Sequence, residues 1–329
     1  MGAPQIVVVG SYATGLTMKV PRLPTSGETL MGRGYRVDFG GKGSNQAVGC
    51  ARLGAQVQFV GRIGNDRFGD AAFNLYREEG VGVSHTKRSR EAPTGVGFIV
   101  VEEESGRNCI VIDPGANALL RAADVAEAET ALQSASVVLT QLEIPVEAAA
   151  SAMERGRANG AITVLNPAPA APLPVSLLRS VDVLTPNEGE AKVLAGYPPD
   201  AVVEPQVVAQ QLIRSGVKHV VITLGEQGAL LVNADSQTHF PAVQVQAVDT
   251  TGAGDAFNAG LAVALAHRSS IEQAVEFATI TGAMAVTREG VIPSLPGREE
   301  VLAFLSDHKM AAPDWLGSIA AADSPTEAR

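Results

Sequence analysis

The stretch SVVLTQLEIPVEAAASAMERGRANGAITVL, residues 136–165, contains two short β-branched runs, 136–140 and 162–165, on either side of a helical segment at 146–159. Neither run alternates polar with apolar residues, and continuous apolar runs of this length suit strands covered on both faces. Working outward, the same kind of run recurs as IVVV at 6–9, VQFV at 57–60, VDVLT at 181–185 and HVVITL at 219–224. Helices are expected between and after them at 45–52, 68–79, 187–194, 205–215, 256–266 and 271–287. Strand and helix in alternation predict an α/β fold, with a doubly wound, mostly parallel sheet flanked by helices.

Two segments break the alternation. TGVGFIVVEEESGRNCIVI, 94–112, reads as two strands joined by a polar turn, a hairpin. Residues 28–39 alternate in a similar way around Gly32 and Gly34. These excursions are either edge hairpins or a small β-sheet lid over a site, built from roughly 12–40 and 92–112. The rest, 1–306, reads as one domain. After Leu305 the chain is rich in Ala, Asp, Ser and Pro, which predicts a loosely ordered tail over 307–329.

Composition narrows the function. Of 329 residues, 46% are apolar, and 25 Lys and Arg stand against 35 Asp and Glu, a formal net charge of −10. An acidic surface repels a phosphate backbone and argues against a nucleic-acid partner, though not against a small phosphate ligand held by local amides. Cys50 and Cys109 lie far apart without CxxC spacing, which fits a reducing cytoplasm rather than a disulfide scaffold or zinc site. No basic n-region opens the chain, and no apolar run reaches the roughly 18 residues of a membrane span.

The chemistry concentrates in AVDTTGAGDAFNAG, 247–260. Asp249 ends a strand-like approach, TTGAG is too flexible for either element, and a helix begins around Asp255. Backbone amides at Gly252, Ala253 and Gly254 can converge on an anion, aided by the positive end of that helix. A carboxylate beside such a cradle would repel phosphate, but it suits a general base that takes the proton of an attacking hydroxyl. A lone Gly-Asp pair would read as an Asp at the helix dipole; GAGD after DTT favours catalysis.

Other nucleotide signatures are missing. Arg36 stands where a Walker A motif ending at Lys42 needs its first Gly, and no G-x-G-x-x-G follows a strand. DFGGKGSNQAVG, from 38, offers Gly40, Gly41 and Gly43 around Lys42, with Asn45 able to cap the next helix; a ligand loop and a plain glycine turn fit equally well. TPNEGEA, 185–191, opens a helix with Glu188 and Glu190, which are either dipole partners or, facing a nucleotide, able to hold Mg²⁺ through water. Near the N-terminus, VVVGSYATGL reads as a strand running into a binding loop with hydroxyls at Ser11, Tyr12 and Thr14.

GGKGSNQA at 40–47, NPAPA at 166–170, TPNEGEA at 185–191, ITLGEQG at 222–228 and DTTGAGDAFNAG at 249–260 resemble, in order, the motifs of the ribokinases within the PfkB-type carbohydrate kinases. The resemblance implies a Rossmann-like core, a β-sheet lid that also forms a homodimer contact, and ATP-dependent phosphorylation of a sugar. It implies Asp255 as catalytic base and Gly252, Ala253 and Gly254 as anion hole. Gly41, Lys42, Asn45 and Glu143 match sugar positions; Asn187, Thr223, Gly225 and Gly228 match the nucleotide side. Glu190 matches a Mg²⁺-associated carboxylate. Asp249, Thr251, Ala285, Arg288, Gly290 and Ser294 match ligands of an activating monovalent cation, K⁺.

One departure stands out. Where the family reads GSxNxD, this chain has Ala13 and Gly15 in place of the Asn and Asp that grip sugar hydroxyls. A carboxylate accepting two hydroxyl bonds contributes several kcal/mol, at about 1.5–3 kcal/mol per charge-assisted bond. Asp38 and Asp113 are the carboxylates placed to compensate, although strand alternation next to Phe39 is expected to turn Asp38 away from the site. Three functions stay open: a sugar or polyol kinase, a kinase of a nucleoside or vitamin-like molecule, and a non-catalytic binding protein. Intact GAGD opposes the last, and the 4% aromatic content offers little for stacking a base.

Overall fold

The computed structural model describes residues 3–318. The chain runs through β1 (Gln5–Val9), β2 (Ala13–Val20) and β3 (Arg33–Gly40) into α1 (Lys42–Arg52), then β4 (Gln56–Gly64), α2 (Arg67–Glu78) and β5 (Gly82–Ser89). A hairpin of β6 (Gly95–Glu102) and β7 (Asn108–Asp113) precedes α3 (Ala122–Glu127), α4 (Glu129–Ser134) and β8 (Val137–Thr140). Next come α5 (Val146–Ala158), β9 (Ile162–Leu165), α6 (Val175–Leu178), β10 (Val183–Leu184), α7 (Glu188–Leu194), α8 (Pro205–Arg214) and β11 (His219–Thr223). A second hairpin, β12 (Ala229–Val232) and β13 (Gln237–Phe240), leads to α9 (Ala253–Ala266), α10 (Ile271–Ala285), α11 (Arg298–Asp307) and α12 (Asp314–Ser318).

Nine of these strands form one sheet in the order β13-β12-β11-β10-β9-β8-β1-β4-β5. From β11 to β5 every pairing is parallel, and the β12–β13 hairpin adds an antiparallel edge. The apolar run of β1 shows why both faces need helices. Ile6 and Val8 sit in one core with α1, α9 and α10, while Val7 and Val9 sit in the other with α5 and α8. Period-two alternation delivers one residue pair to each side. α9 is buried all round from Asp255 to Ala266, as its nearly unbroken Ala, Gly, Val and Leu sequence requires.

The remaining four strands form a separate sheet, β3-β2-β6-β7. Here the reading of SYATGL as a binding loop needs correction, because Ala13–Val20 is a strand, held between β3 and β6. Its small residues lack a strong β pattern, and only pairing with distant neighbours on both sides fixes it as extended. Helix α1 also starts earlier than expected. Gly41 is its N-cap and Asn45 lies inside the helix, donating its backbone N–H to Gly41 O, so Asn45 does not cap.

The tail is corrected in part. Through Leu316 it packs on the domain: Leu316 is fully buried and the Trp315 ring stacks on His267 at 4.4 Å between centroids. Residues 319–329, the remainder of that expectation, lie outside the described residues. Strands β5, β12 and β13 and helices α3, α4, α6, α11 and α12 are absent from the sequence expectation. The edge strands, GVSHTKRS and QTHF, carry too much polar character for an apolar-run criterion.

Candidate active site

Gly252 sets the geometry of the site. It adopts φ 86° as N-cap of α9, and a β-carbon there would stand 2.8 Å from Val291 Cγ1, so both conformation and space demand glycine. The Ala253 amide leans back on Thr250 O at 3.3 Å. The amides of Gly254 and Asp255, next in line, have no partner within the helix and head its positive end. Of the three amides expected to form an anion hole, Ala253's is therefore the one with a competing acceptor.

Asp255 is 6% exposed, and both its carboxylate oxygens accept amide hydrogen bonds from α1. Asn45 Nδ2 donates to Oδ2 at 2.8 Å and Gln46 Nε2 to Oδ1 at 2.9 Å. Burial raises the Asp255 carboxyl above its usual range, and the positive charge of Lys42 together with the two amide donors offsets only part of that rise. The converse holds at Lys42. Burial disfavours its ammonium, but the carboxylates of Asp255, Glu143 and Glu190 outweigh burial and raise it above the ordinary lysine value. The result is a desolvated carboxylate with a neighbouring cation, facing the start of a helix.

Gln46 belongs to a longer amide chain. Gln141 Nε2 donates to Gln46 Oε1 at 2.5 Å, and Gln46 Nε2 also reaches Asn166 Oδ1 at 3.1 Å. Asn166 donates to Thr185 O, the Thr185 hydroxyl to Asn258 Oδ1, and Asn258 Nδ2 to Gly254 O. The chain thus closes on the helix turn that carries Asp255. Sequence reading missed Gln46, Gln141 and Thr185 as site residues; the adjacent amides of Asn45-Gln46 inside an otherwise apolar helix were the available signal.

Glu143 holds the opposite wall. Its Oε2 accepts the Ser11 hydroxyl at 2.6 Å and the Lys42 amide at 2.8 Å, fastening the end of β1 to the glycine turn. Gly41 makes that turn at φ 87°, where a β-carbon would lie 2.7 Å from Tyr12 Cα. Buried Asn117, another residue missed, accepts Tyr12 N and donates to Tyr12 O, pinning the entry to β2. Lys42, Asn45, Glu143 and Asp255 are thereby brought into one cluster, as expected.

Of the residues expected on the nucleotide side, Asn187 and Thr223 meet in an isolated parallel bridge, and the turn through Gly225 (φ 58°) and Gly228 (φ 93°) follows directly. Glu190 is not simply open to a metal. Its carboxylate accepts Asn187 N at 2.8 Å while Asn187 Oδ1 accepts Glu190 N, a capping box at the head of α7. Burial raises the Glu190 carboxyl, and the charge of Lys42 opposes that shift.

Asp249 ties two loops together, accepting Thr251 N at 2.9 Å and Gly290 N at 3.0 Å. Burial favours its neutral form, but these donors and the Thr251 hydroxyl outweigh it and hold the carboxyl below its ordinary range. Ala285 lies at the end of α10, Ser294 is buried, and the Arg288 side chain is spent on an ion pair with Glu300 at 2.7 Å. A guanidinium has no lone pair for a cation, so Arg288 can offer only its backbone carbonyl.

The small sheet corrects both views of the compensating carboxylates. In register, Gly15 stands opposite Asp38 on one side and Gly97 on the other, so Asp38 shares the face of positions 13 and 15. Asp113 pairs with Val96 in the neighbouring row, on the other face, and its carboxylate accepts Gly115 N.

Comparison with known proteins agrees with this architecture. Residues 3–298 match the model of the pfkB family carbohydrate kinases. The chain is 37% identical over 300 residues to a ribokinase of Haemophilus influenzae, covering 91% of this chain and 98% of the relative. It superposes on a ribokinase of Thermotoga maritima with TM-score 0.84 at 37% identity, covering 92% and 99% of the two chains. The Arabidopsis thaliana ribokinase complexed with ribose and ATP gives TM-score 0.86 at 32% identity, with 93% and 99% covered. A mostly parallel sheet, a separate four-stranded sheet and a buried carboxylate at the head of α9 accompany the match, and the chain belongs to the pfkB family of carbohydrate kinases, which transfer phosphate from ATP to a sugar.

Proposed function

We propose that Asp255 is the general base for transfer of the ATP γ-phosphoryl group to a primary hydroxyl of a sugar or sugar-like polyol. The observation that carries this reading is the clamp on Asp255, whose two oxygens are fixed by Asn45 and Gln46 in a buried site next to Lys42. A carboxylate that serves only a helix dipole has no need of such a clamp. Asp255 takes the hydroxyl proton as the acceptor oxygen attacks, and helix-head amides face the charge that develops on the phosphoryl oxygens.

ATP lies on the Asn187, Thr223, Gly225 and Gly228 side. Mg²⁺ supplies charge neutralisation on the nucleotide phosphates. Glu190, at the head of α7, is the residue that would hold Mg²⁺ through water. Asp249 with the backbone oxygens of the 285–290 segment is a hard-oxygen donor set suited to K⁺, and the two loops it joins include the one leading to Gly252. The outer face of the lid presents Val37, Leu16, Phe98 and Val111 as one register row, three of them exposed, and this supports a homodimer through the lid. No helix among the described residues is long and apolar enough to cross a membrane, and two free cysteines fit a cytoplasmic enzyme.

The test is an ATP-consumption screen over pentoses, hexoses, tetroses, polyols and nucleosides, with Asp255→Asn as control. Turnover of a sugar or polyol by the native enzyme and its collapse in the variant is the expected result. Turnover of nucleosides alone, or undiminished turnover in the variant, refutes the reading.

A further inference from the structure

The lid has an inner and an outer face, and the register identifies them. Ser11, two residues before Ala13, turns its hydroxyl into the site, to Glu143 at 2.6 Å. Tyr12 and Thr14, the intervening residues, point the other way: both are buried, and their hydroxyls face one another at 3.4 Å. By alternation Ala13, Gly15 and Thr17 share the Ser11 side. The rows on that side read Gly40–Ala13–Gly95, Asp38–Gly15–Gly97–Ile112 and Arg36–Thr17–Ile99–Ile110.

Within those rows the carboxylate is Asp38, half-exposed and held by Arg36 Nε at 2.6 Å. Its neighbours clear the space before it. Across the row Gly97 would have no atom within 4 Å of a β-carbon, and one on Gly15 would lie 3.8 Å from Asp38 Cβ. A carboxylate at position 38 and one at position 15 therefore serve overlapping volume. We infer that Asp38 is a specificity-determining residue that binds hydroxyls of the acceptor from the lid, at the end away from the hydroxyl that Asp255 deprotonates, with Arg36 orienting it. This rests on the sugar or polyol kinase reading above. A carboxylate accepts two vicinal hydroxyls without an acceptor–acceptor clash, which neither Ala13 nor Gly15 offers.

The test is steady-state kinetics of Asp38→Asn and Asp38→Ala on whichever sugar or polyol the native enzyme phosphorylates best. Loss of a charge-assisted contact is expected to raise the acceptor KM roughly 10- to 100-fold, with the ATP KM unchanged within about threefold. Moving the carboxylate, in Asp38→Ala/Gly15→Asp, is expected to recover part of that loss, because the two positions face the same space. An unchanged acceptor KM in both single variants overturns the role of Asp38 while leaving the kinase reading intact. A raised KM accompanied by a lowered melting temperature and no recovery in the double variant makes Asp38 a structural residue of the lid, and also overturns it. A native enzyme that phosphorylates nucleosides but no sugar or polyol overturns the acceptor reading and this inference together.

Discussion

Replacing Gln46 by Met tests how the base is tuned. The substitution keeps side-chain length but removes the Nε2 donor that lies 2.9 Å from Asp255 Oδ1. A hydrogen bond to a charged group contributes about 1.5–3 kcal/mol, and about 1.36 kcal/mol corresponds to one pKa unit. The donor stabilises the ionised carboxylate, so its loss raises further a group that burial has already raised. On the proposed mechanism Asp255 works deprotonated, hence activity is expected to disappear as pH falls through its pKa. The acid limb of kcat/KM, which reports the free enzyme, is expected to move up by roughly 1–2 pH units in Gln46→Met, with the plateau at higher pH largely kept. Gln46 also partners Gln141 and Asn166, so the variant leaves buried polar groups unpaired and loses stability. Gln141→Met isolates that effect, since it strips the chain one step from the base: its melting temperature should fall while its acid limb stays in place. Superimposable acid limbs for native and Gln46→Met enzyme would refute the assignment of the 2.9 Å contact as a tuning interaction.

Asp255→Asn should bind ATP normally in calorimetry and lose roughly 10²–10⁴-fold in kcat, the usual contribution of a general base. Gly252→Val forces a β-branched side chain onto φ 86° and into Val291, so kcat should drop and thermal unfolding should show a destabilised fold. Replacing K⁺ with Na⁺ should lower activity, and equal rates in the two salts would remove the Asp249 loop as a cation site. Phe98→Glu, in the middle of the outer apolar row of the lid, should shift sedimentation from dimer to monomer.

How far the sequence reaches depends on the range of the interactions. The parallel core was readable because its strands are continuous apolar runs and its helices carry local start signals; the 146–158 helix and the 162–165 strand lie where 136–165 places them. Asp255 was readable because the glycine turn, the helix head and the base are contiguous in the chain. The clamp on that base was not, since Gln46 and Asp255 are 209 residues apart and meet only when α1 packs against α9. β2 lies inside the 12–40 segment expected to build the lid, but its pairing was not readable, for the same reason. ATGLTMKV has little pattern of its own, and its partners come from residues 33–40 and 95–102.

The register error at Asp38 shows what alternation can and cannot decide. Counting from Phe39 fixes that 38 and 39 face opposite ways, but not which of the two ways is inward. That direction comes from the pairing of β3 with β2, which sets Asp38 beside Gly15, and from Ser11, whose hydroxyl marks the inner side. The same logic separates the two halves of the enzyme. The base, its amide clamp and the helix head belong to the packed core, where each member is held by several buried partners and a substitution propagates. Asp38 and its row belong to a four-stranded sheet with exposed residues on both faces, where Gly15 and Gly97 leave room for side chains. If Asp38 binds the acceptor as proposed, substitution on this sheet changes acceptor choice without disturbing the buried network around Asp255.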